Sequence, residues 1–376
     1  MTQEILGYLR PDGQIGIRNK VAIIFTVDCS KFVAEKIHRL FPEQTQVFGI
    51  PRGCVFKPGS VNKIVALGKH SQYGGALVVG LTCEATEAYT VANRIAESGK
   101  PVEAIKIGDD GGDLKAIEKG SRIMLRLLQH TSLAERVKLT PADLIVGAEC
   151  GGSDATSGIA SNPAVGVAAD MLIDAGGTFM HSEEKELMGC GDVLAARAIN
   201  AEVAHDIKSL IEKVEQECFA IGRFGYGFGN RLGGLSSIEE KSYGALAKSG
   251  SRPLQGVLHT FQRPARKGYW IQYGEPDAVT FHGDPDGLNQ RMACGAHLNV
   301  FTTGCGSTTG SLGPVIKVIA NPHRRQLIED NADIDASGII LGEKTLQEVG
   351  QEIYAEILAV AAGKLTKSEM HGHYEA

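Results

Sequence analysis

Five of the eight cysteines follow apolar runs that are typical of buried strands. In chain order they are Cys29 after IIFTVD, Cys54 after VFGIPRG, Cys83 after LVVGLT, Cys150 after LIVGAE and Cys305 after VFTTG. The carboxyl ends of parallel strands meet at one edge of a sheet, so these thiols can converge there. Convergent thiolates bind iron, alone or as an iron–sulfur cluster, and a cluster held by three of them leaves one iron position open for a substrate hydroxyl. The alternative is that each cysteine is a small apolar residue packed under a turn.

Acid and base groups are concentrated in the segment HSEEKELMGC, residues 181–190. Its histidine, glutamates and cysteine could serve as general acids, bases or metal ligands, although acidic residues at the start of a solvated helix give the same pattern. Two lysines are further candidates, Lys241 in IEEKSYG and Lys317 in PVIKVIA. Because an ammonium group without a partner is costly inside an apolar strand, Lys317 should have either a partner or a chemical task.

Two glycine-rich segments have the composition of anion-binding loops. CGGSDATSG begins at Cys150, directly after a strand, and FTTGCGSTTGSLGP occupies residues 301–314. Successive glycines let backbone N–H groups approach a phosphate or a carboxylate, and the hydroxyl groups suit a polyhydroxylated ligand. Neither segment is a P-loop or a dinucleotide-binding fingerprint, which disfavours a nucleotide-binding protein and an NAD-dependent dehydrogenase. A purely structural glycine–serine turn is the alternative for each segment.

The elements that must position these groups alternate between strand and helix along the chain. In the first half the sequence predicts strands at 21–27, 46–50, 76–81 and 101–108, with helices between them. In the second half it predicts the strands DLIVGAEC, GTFMHS, LQGVLHT, AVTFHG, HLNVFTTG and PVIKVIA, helices at 191–220, 236–249 and 343–362, and an ordered functional loop at 221–235. This alternation predicts an α/β protein with two Rossmann-like parallel-sheet domains, 1–138 and 139–376, whose glycine-rich loops face a shared cleft.

The composition excludes several other classes of protein. The chain has 38 Lys and Arg against 44 Asp and Glu, a net charge of −6 without a basic block, which disfavours nucleic-acid binding. A polar N-terminus and the lack of any run of about 18 apolar residues argue against a signal peptide and a membrane span, so we expect a cytoplasmic protein. In that compartment cysteines favour metal or thiol chemistry over disulfides, and the absence of a C-x-x-C pair argues against a zinc ribbon.

With these motifs, nearly the whole chain resembles the altronate and galactarate dehydratase family of iron-using sugar-acid hydro-lyases. The matching segments are GYLRPDGQIGIRN, CGGSDATSGIASNPAVGVAADML, GGLSSIEEKSYGALAKSG and FTTGCGSTTG followed by PVIKV. The resemblance implies an iron-dependent enzyme that dehydrates a sugar acid to a 2-keto-3-deoxy acid. The resemblance implies that the iron is present as Fe²⁺ or as a three-cysteine iron–sulfur cluster. The cysteines that match its ligands are Cys54, Cys83 and Cys150.

The resemblance also implies roles for acid, base and binding groups. Glu183, Glu186 and Lys241 correspond to acid or base groups of the reaction. Ser153, Asp154, Asn162, Thr302, Thr303 and Lys317 also match motif positions of the family and are expected to bind substrate. The reaction itself needs groups that neutralise a carboxylate, and we expect Arg18, Arg52 and the loop amides of Gly151 and Gly152 in that role.

The chain departs from the family pattern at three places. The family pattern begins at GYLRPDG, so we expect the family's small N-terminal domain of the SAF type to be a separate subunit, beside a homo-oligomer of this chain. The turn before Cys54 lacks the histidine often found there, and Cys305 stands where arginine or another residue is common. Both changes fall in the expected pocket, so sulfite could replace water as the leaving group, as in sulfolactate sulfo-lyase. A non-catalytic subunit that binds a small acid is a further alternative.

Overall fold

The computed structural model describes residues 4–274 and 283–375. The chain divides into two compact units, an N-terminal unit of residues 4–138 and a C-terminal unit of residues 139–375. Each unit has its own sheets and helices, and each is described separately below.

The N-terminal unit is built on a four-stranded parallel sheet with the strand order β4-β3-β5-β6. A second sheet of three short strands has the order β2-β1-β7. The strands are β1 (Ile5–Leu9), β2 (Ile15–Gly16), β3 (Lys20–Phe25), β4 (Thr45–Gly49), β5 (Tyr73–Gly80), β6 (Val102–Lys106) and β7 (Arg136–Leu139). The helices are α1 (Asp28–His38), α2 (Pro58–Lys69), α3 (Ala88–Ala96) and α4 (Asp113–Ser132).

The core of this unit explains why its parallel strands are almost continuously apolar. Ile23 of β3, Leu77 of β5 and Ile105 of β6 are fully buried and pack with Ile37 of α1 and Met124 of α4. Strands that are covered by helices on their faces lose the alternation of apolar and polar residues that a half-exposed sheet would show. The run VAIIF is therefore a central strand, as its composition predicts.

The C-terminal unit is built on a seven-stranded parallel sheet with the order β10-β11-β9-β8-β12-β13-β14. The strands are β8 (Ile145–Cys150), β9 (Thr178–His181), β10 (Leu254–Leu258), β11 (Gly268–Gln272), β12 (Leu298–Thr303), β13 (Val315–Ile319) and β14 (Ile334–Asp335). The helices are α5 (Asn162–Asp174), α6 (Gly191–Ala195), α7 (Ala201–Ile221), α8 (Phe228–Leu232), α9 (Ile238–Ala247), α10 (Asp284–Ala293), α11 (Pro322–Leu327), α12 (Ser337–Ile340), α13 (Leu346–Ala361) and α14 (Lys367–His371). A π-helical turn (Ser157–Ser161) precedes α5, and a 3₁₀ turn (Glu184–Glu186) follows β9.

The α/β class and the parallel sheets predicted from the sequence are confirmed, but several elements differ. The helix predicted at 191–220 is two helices, α6 and α7, separated by a break in which Asn200 caps α7 through a side-chain bond to Val203 N–H. The loop predicted at 221–235 contains the short helix α8. The predicted strand AVTFHG falls on 278–283, and residues 278–282 lie outside the described part of the chain. Strand β11 was not predicted, although it lies between β10 and β9.

Among the described residues, no helix combines the length and the apolar composition that crossing a lipid bilayer requires.

Candidate active site

A thiol and two carboxylates meet where β8 and β9 end. Cys150 is the last residue of β8, and Glu183 and Glu186 follow β9. The Cys150 Sγ lies 3.0 Å from Glu183 Oε1 and 3.2 Å from Glu186 Oε2, with the thiol as donor. The Cys150 backbone N–H also donates to Glu183 Oε1, over 2.9 Å.

Two lysines complete this group on its other side. Lys241 of α9 forms an ion pair of 2.8 Å between its Nζ and Glu186 Oε1, and Lys248, directly after α9, pairs with Glu183. The side chains of Lys241 and Lys248 are 7% and 0% exposed, so both charges are out of water. These five residues are called the thiol–carboxylate cluster below.

Local backbone geometry places the members of the thiol–carboxylate cluster. Glu183 has a φ of 76°, in the left-handed region that non-glycine residues seldom adopt, and this turns the chain sharply after β9. The side chain of Ser237 caps α9 by accepting the N–H of Glu240. Lys241 and Lys248 are seven residues apart, which puts both on one side of α9 and its C-terminal turn.

The charges of the thiol–carboxylate cluster balance. Burial, and next the Glu183 and Glu186 carboxylates, raise the pKa of Cys150 well above its usual value, so the thiol stays protonated. Burial raises the pKa of Glu183 to about 7, although Lys248 opposes this increase. Burial lowers the pKa values of Lys241 and Lys248, but the neighbouring acidic groups outweigh it and raise both. Two ammonium groups therefore face two carboxyl groups.

A small cavity opens onto the thiol–carboxylate cluster. It holds about 100 Å³, which is room for roughly three water molecules at about 30 Å³ each. Asp284, at the start of α10, adds a further carboxyl group, and burial followed by Glu186 raises its pKa. The lining residues described by the structure are Glu149, Cys150, Ser182, Glu183, Glu184, Lys185, Glu186, Gly225, Gly274, Asp284, Gly287 and Gln290.

The thiol–carboxylate cluster is also a candidate metal site. The ligand atoms of Cys150, Glu183 and Glu186 all lie within 4.8 Å of one another, and thiolates and carboxylates are both iron ligands. The two carboxylates are already neutralised by ammonium groups, so a divalent cation bound between them would leave excess positive charge in a buried site. Of the three, Cys150 fits iron best, because deprotonation would bring the negative charge that the metal needs.

The two glycine-rich loops of the C-terminal unit are joined by backbone hydrogen bonds. Gly151 N–H donates to Thr302 O over 3.1 Å, while the N–H groups of Gly304 and Cys305 donate to Gly152 O over 3.2 and 2.8 Å. Gly152 has a φ of 61°, which favours glycine. The loops predicted to bind an anion are thus adjacent, at the same edge of the sheet as the thiol–carboxylate cluster.

Within the first loop, the Asp154 carboxylate is used to shape the backbone. Its Oδ1 accepts from Thr156 N–H over 2.9 Å and Ser157 N–H over 3.1 Å, and its Oδ2 accepts from Asn321 Nδ2 over 2.7 Å. The neighbouring Ser153 is different, because its buried hydroxyl has no hydrogen-bond partner among the described residues. Ser153 is therefore the member of this loop with a free polar group.

The other predicted binding residues of these loops also contact one another. Asn162 receives a 2.6 Å hydrogen bond from the Thr302 hydroxyl and donates to Gly244 O over 2.9 Å, which ties β12 to α9. Thr303 accepts from Gly306 N–H over 3.1 Å. The structure thus brings Thr302 and Asn162 together, and the contact of Thr302, Thr303 and Asn162 with substrate stays a prediction.

Lys317 lies on β13, paired in register with Phe301 of β12. Its side chain is 1% exposed, and its ammonium has no hydrogen-bond partner among the described residues. Burial lowers the pKa of Lys317 to about 8, although the charges of Asp333 and Glu375 oppose the shift. The sequence analysis expected a partner or a task for this lysine, and the structure shows no hydrogen-bonded partner.

The N-terminal unit carries three of the strand-end cysteines at its own sheet edge. Cys29, Cys54 and Cys83 follow β3, β4 and β5, and all three are exposed. Ala85 N–H donates to Gly53 O over 3.1 Å, so the loops of Cys54 and Cys83 lie side by side. A single site shared by these two cysteines with Cys150 of the other unit stays a prediction.

The two arginines predicted to neutralise a carboxylate also belong to the N-terminal unit. Arg18 is 9% exposed and donates from Nη1 to Ile17 O over 3.0 Å. Arg52 is exposed, has a φ of 60°, and its N–H donates to Asp28 Oδ2 over 3.0 Å. Their role in substrate binding stays a prediction.

Sequence reasoning did not identify Lys248 or Asp284. Lys248 could have been found from its spacing, since it lies seven residues after Lys241 in a predicted helix and so on the same helix face. Asp284 offered no comparable signal, because its helix begins beside residues for which the sequence predicted a strand.

Comparison with known protein families agrees with this geometry. A model of the second domain of D-galactarate dehydratase/altronate hydrolase matches residues 7–132, and a model of the C-terminal region of D-galactarate/altronate dehydratase matches residues 141–376. The chain belongs to this family. The resemblance seen in the sequence is confirmed, and so is the expectation of an enzyme of the hydro-lyase type.

Individual relatives differ in how much of their length the chain covers. The chain is 30% identical to (2R)-sulfolactate sulfo-lyase subunit beta of Chromohalobacter salexigens, over 98% of this chain and 95% of that protein. It is 32% identical to galactarate dehydratase (L-threo-forming) of Escherichia coli, over 95% of this chain and 72% of that protein. It is 28% identical to altronate dehydratase of Bacillus subtilis, over 98% of this chain and 76% of that protein.

Proposed function

We propose that the chain is the large subunit of an iron-dependent hydro-lyase that dehydrates a sugar acid of the altronate or galactarate type to a 2-keto-3-deoxy acid. The observation that carries the proposal is the thiol–carboxylate cluster, in which two carboxyl groups that face a cavity at the carboxyl edge of a parallel sheet are paired with lysines. Ligands bind at that edge in α/β proteins, and family membership supplies the class of reaction.

The two ion pairs of the cluster have different roles in this proposal. Glu183 already accepts from the Cys150 N–H and Sγ and pairs with Lys248. Glu186 is the more exposed carboxylate, at 14% against 7% for Glu183. The outer pair, Glu186 and Lys241, therefore carries the acid and base groups, and the inner pair, Glu183 and Lys248, fixes the position of the cysteine.

The reaction then balances without an external reagent. Glu186 takes the proton α to the substrate carboxylate, the bond from the β-carbon to its hydroxyl oxygen breaks, and Lys241 gives the departing oxygen a proton to release water. The enol that remains becomes the 2-keto acid by tautomerisation. Because the two side chains lie 2.8 Å apart, a proton can pass back from Glu186 to Lys241 and restore the starting state.

Cys54, Cys83 and Cys150 are the residues that we propose would hold the iron, which would supply a Lewis acid to stabilise negative charge on oxygen. The chain's own contribution to substrate binding is a set of donors aimed at a carboxylate and at hydroxyl groups. We propose Arg18, Arg52 and the loop of Gly151 and Gly152 for the carboxylate, with the Gly152 amide as the donor, since the Gly151 N–H already donates to Thr302 O. The proposed hydroxyl contacts are Ser153, Asn162, Thr302, Thr303 and Lys317, beside Asp154, which holds their loop in shape.

We further propose that a small SAF-type subunit is a partner of this chain. We also propose that this chain forms a homo-oligomer. Support comes from the relative named as a subunit beta, which the chain covers almost completely, and from the longer dehydratases, of which it covers 72% and 76%. The same relative favours a second candidate function, elimination of sulfite from sulfolactate.

One assay decides between these functions. The purified chain, with Fe²⁺ and with or without a candidate small subunit, is incubated with a panel of aldonates, aldarates and sulfolactate. Semicarbazide detects a 2-keto acid, and a separate measurement detects sulfite. Formation of a keto acid from a sugar acid supports the hydro-lyase, and release of sulfite supports the sulfo-lyase. If the reconstituted complex forms neither product, the chain is a subunit that only binds an acid.

A further inference from the structure

One fully buried arginine contacts the residues that immediately precede two members of the thiol–carboxylate cluster. Arg291 of α10 is 0% exposed. Its guanidinium forms an ion pair with Glu149, donates from Nη1 to the Ser182 hydroxyl, and donates from Nε to Asn299 Oδ1 over 3.3 Å. Glu149 is adjacent to Cys150 on β8, and Ser182 is adjacent to Glu183 after β9.

The sequence leaves space for this contact at two glycines. A Cβ on Gly147 would lie 2.8 Å from Arg291 Cδ, and a Cβ on Gly287 would lie 2.4 Å from Glu149 Oε1. Neither distance is compatible with a side chain at its present position. The glycines at position 147 of β8 and position 287 of α10 therefore leave the space that the Arg291 and Glu149 side chains occupy.

We propose that Arg291 is a positioning residue, which joins the ends of β8 and β9 so that the Cys150 thiol meets the Glu183 carboxylate. A guanidinium group suits this task because its donors are fixed in one plane and can reach several acceptors at once. Arg291 is 0% exposed and its guanidinium contacts three protein groups, so it acts through its neighbours and not on substrate. The positioning of Cys150 does not depend on the proposed function; only the catalytic use of its contact with Glu183 rests on it.

The position of Cys150 can be measured without substrate or metal. The structure buries four cysteines, all in the C-terminal unit: Cys150, Cys190, Cys218 and Cys294. Labelling of the folded full chain with iodoacetamide, resolved cysteine by cysteine in a mass spectrometer, reports how often each thiol is uncovered. Cys190 and Cys218 are the controls, because Arg291 acts on neither thiol, whereas burial raises the pKa of Cys294 and the charge of Arg291 opposes that rise.

Two variants avoid leaving a buried charge without its partner. The double variant Arg291→Met with Glu149→Gln removes both charges of the pair, and Ser182→Ala removes only the contact to the segment after β9. We expect alkylation of Cys150 to become about tenfold faster in the double variant and about threefold faster in Ser182→Ala, with Cys190 and Cys218 unchanged. In an active enzyme we expect kcat to fall while KM changes little.

Two results overturn the proposal. If Cys150 is alkylated at the wild-type rate in both variants, Arg291 does not hold it in place. If the alkylation of all four buried cysteines becomes faster by the same factor, the variants have lost stability in general. If the wild-type complex shows no lyase activity, the proposed function fails, but the labelling still decides whether Arg291 positions Cys150.

Discussion

Replacing Lys317 by methionine should stabilise the protein at neutral pH. This ammonium group is buried on β13 and has no hydrogen-bond partner among the described residues, and burial lowers its pKa from 10.5 to about 8. A group whose pKa is lower in the folded than in the unfolded state costs stability as the pH falls from 10.5 through 8, because the unfolded chain binds the proton more tightly. Methionine has a similar shape and no charge to bury.

The size of the effect follows from that shift. A difference of 2.5 pKa units corresponds to about 3 kcal/mol at pH 7. The pKa of about 8 already includes the charges of Asp333 and Glu375, and screening by solvent reduces the effect further, so we expect about 1 to 3 kcal/mol. For a unit of the size of residues 139–375, this raises Tm by about 2 to 10 °C. At pH 9.5 the folded lysine is already mostly neutral, so the gain should fall to less than half.

Lys248→Met is the matched control. Lys248 is equally buried, but it pairs with Glu183, and removal of one partner from a buried ion pair costs about 3 to 5 kcal/mol. Thermal unfolding of both variants at pH 7 and 9.5 should therefore give changes of opposite sign. A destabilised Lys317→Met variant at pH 7, or a gain that persists undiminished at pH 9.5, would refute the reasoning. Since Lys317 is also a proposed substrate contact, we expect its stabilised variant to have a higher KM.

Three further predictions concern the proposed site. Cys150→Ser and Cys83→Ser should each remove both bound iron, measured by elemental analysis, and activity, measured by the keto-acid assay. If iron and activity are both retained when all three proposed ligands are replaced, thiolate ligation is excluded. Lys241→Met should lower kcat by about 10² to 10⁴ with an unchanged circular dichroism spectrum, and near-normal turnover would exclude it as the acid. Gly287→Ala should destabilise the fold by about 1 to 3 kcal/mol, because its Cβ would lie 2.4 Å from Glu149 Oε1, and an unchanged Tm would contradict that clash.

The parallel sheets could be predicted because buried strands leave a strong local signal. Runs such as VAIIF and ALVVG are apolar at every position, and the helices between them have clear periodicity. The break between α6 and α7 is harder to see, since it depends on how Asn200 caps α7 and not on any loss of apolar residues. Strand β11, GYWIQ, begins and ends with residues that also suit a loop, and one of its two neighbours in the sheet, β9, comes from a distant part of the chain.

The candidate site was predictable in its residue types but not in its pairings. The sequence pointed to Cys150, Glu183 and Lys241 through their places after strands or in a helix. Which lysine neutralises which glutamate depends on the left-handed turn at Glu183, and neither periodicity nor composition indicates such a turn at a glutamate. The fully engaged carboxylate of Asp154 was likewise invisible, because its partners include Asn321, far along the chain.

The burial of charge in the C-terminal unit is itself an argument for function. Replacing buried ion pairs by apolar residues of similar size is often neutral or stabilising, so the pairs of Lys241 and Lys248 are poor devices for holding a fold together. They lie at the carboxyl edge of the sheet, where α/β proteins bind ligands, and they enclose a thiol that burial keeps protonated. Groups of opposite charge and perturbed pKa that converge at such an edge are the arrangement expected of acid–base catalysis. The buried ion pairs, which add little to the stability of this unit, are thus found at the residues to which we assign the elimination.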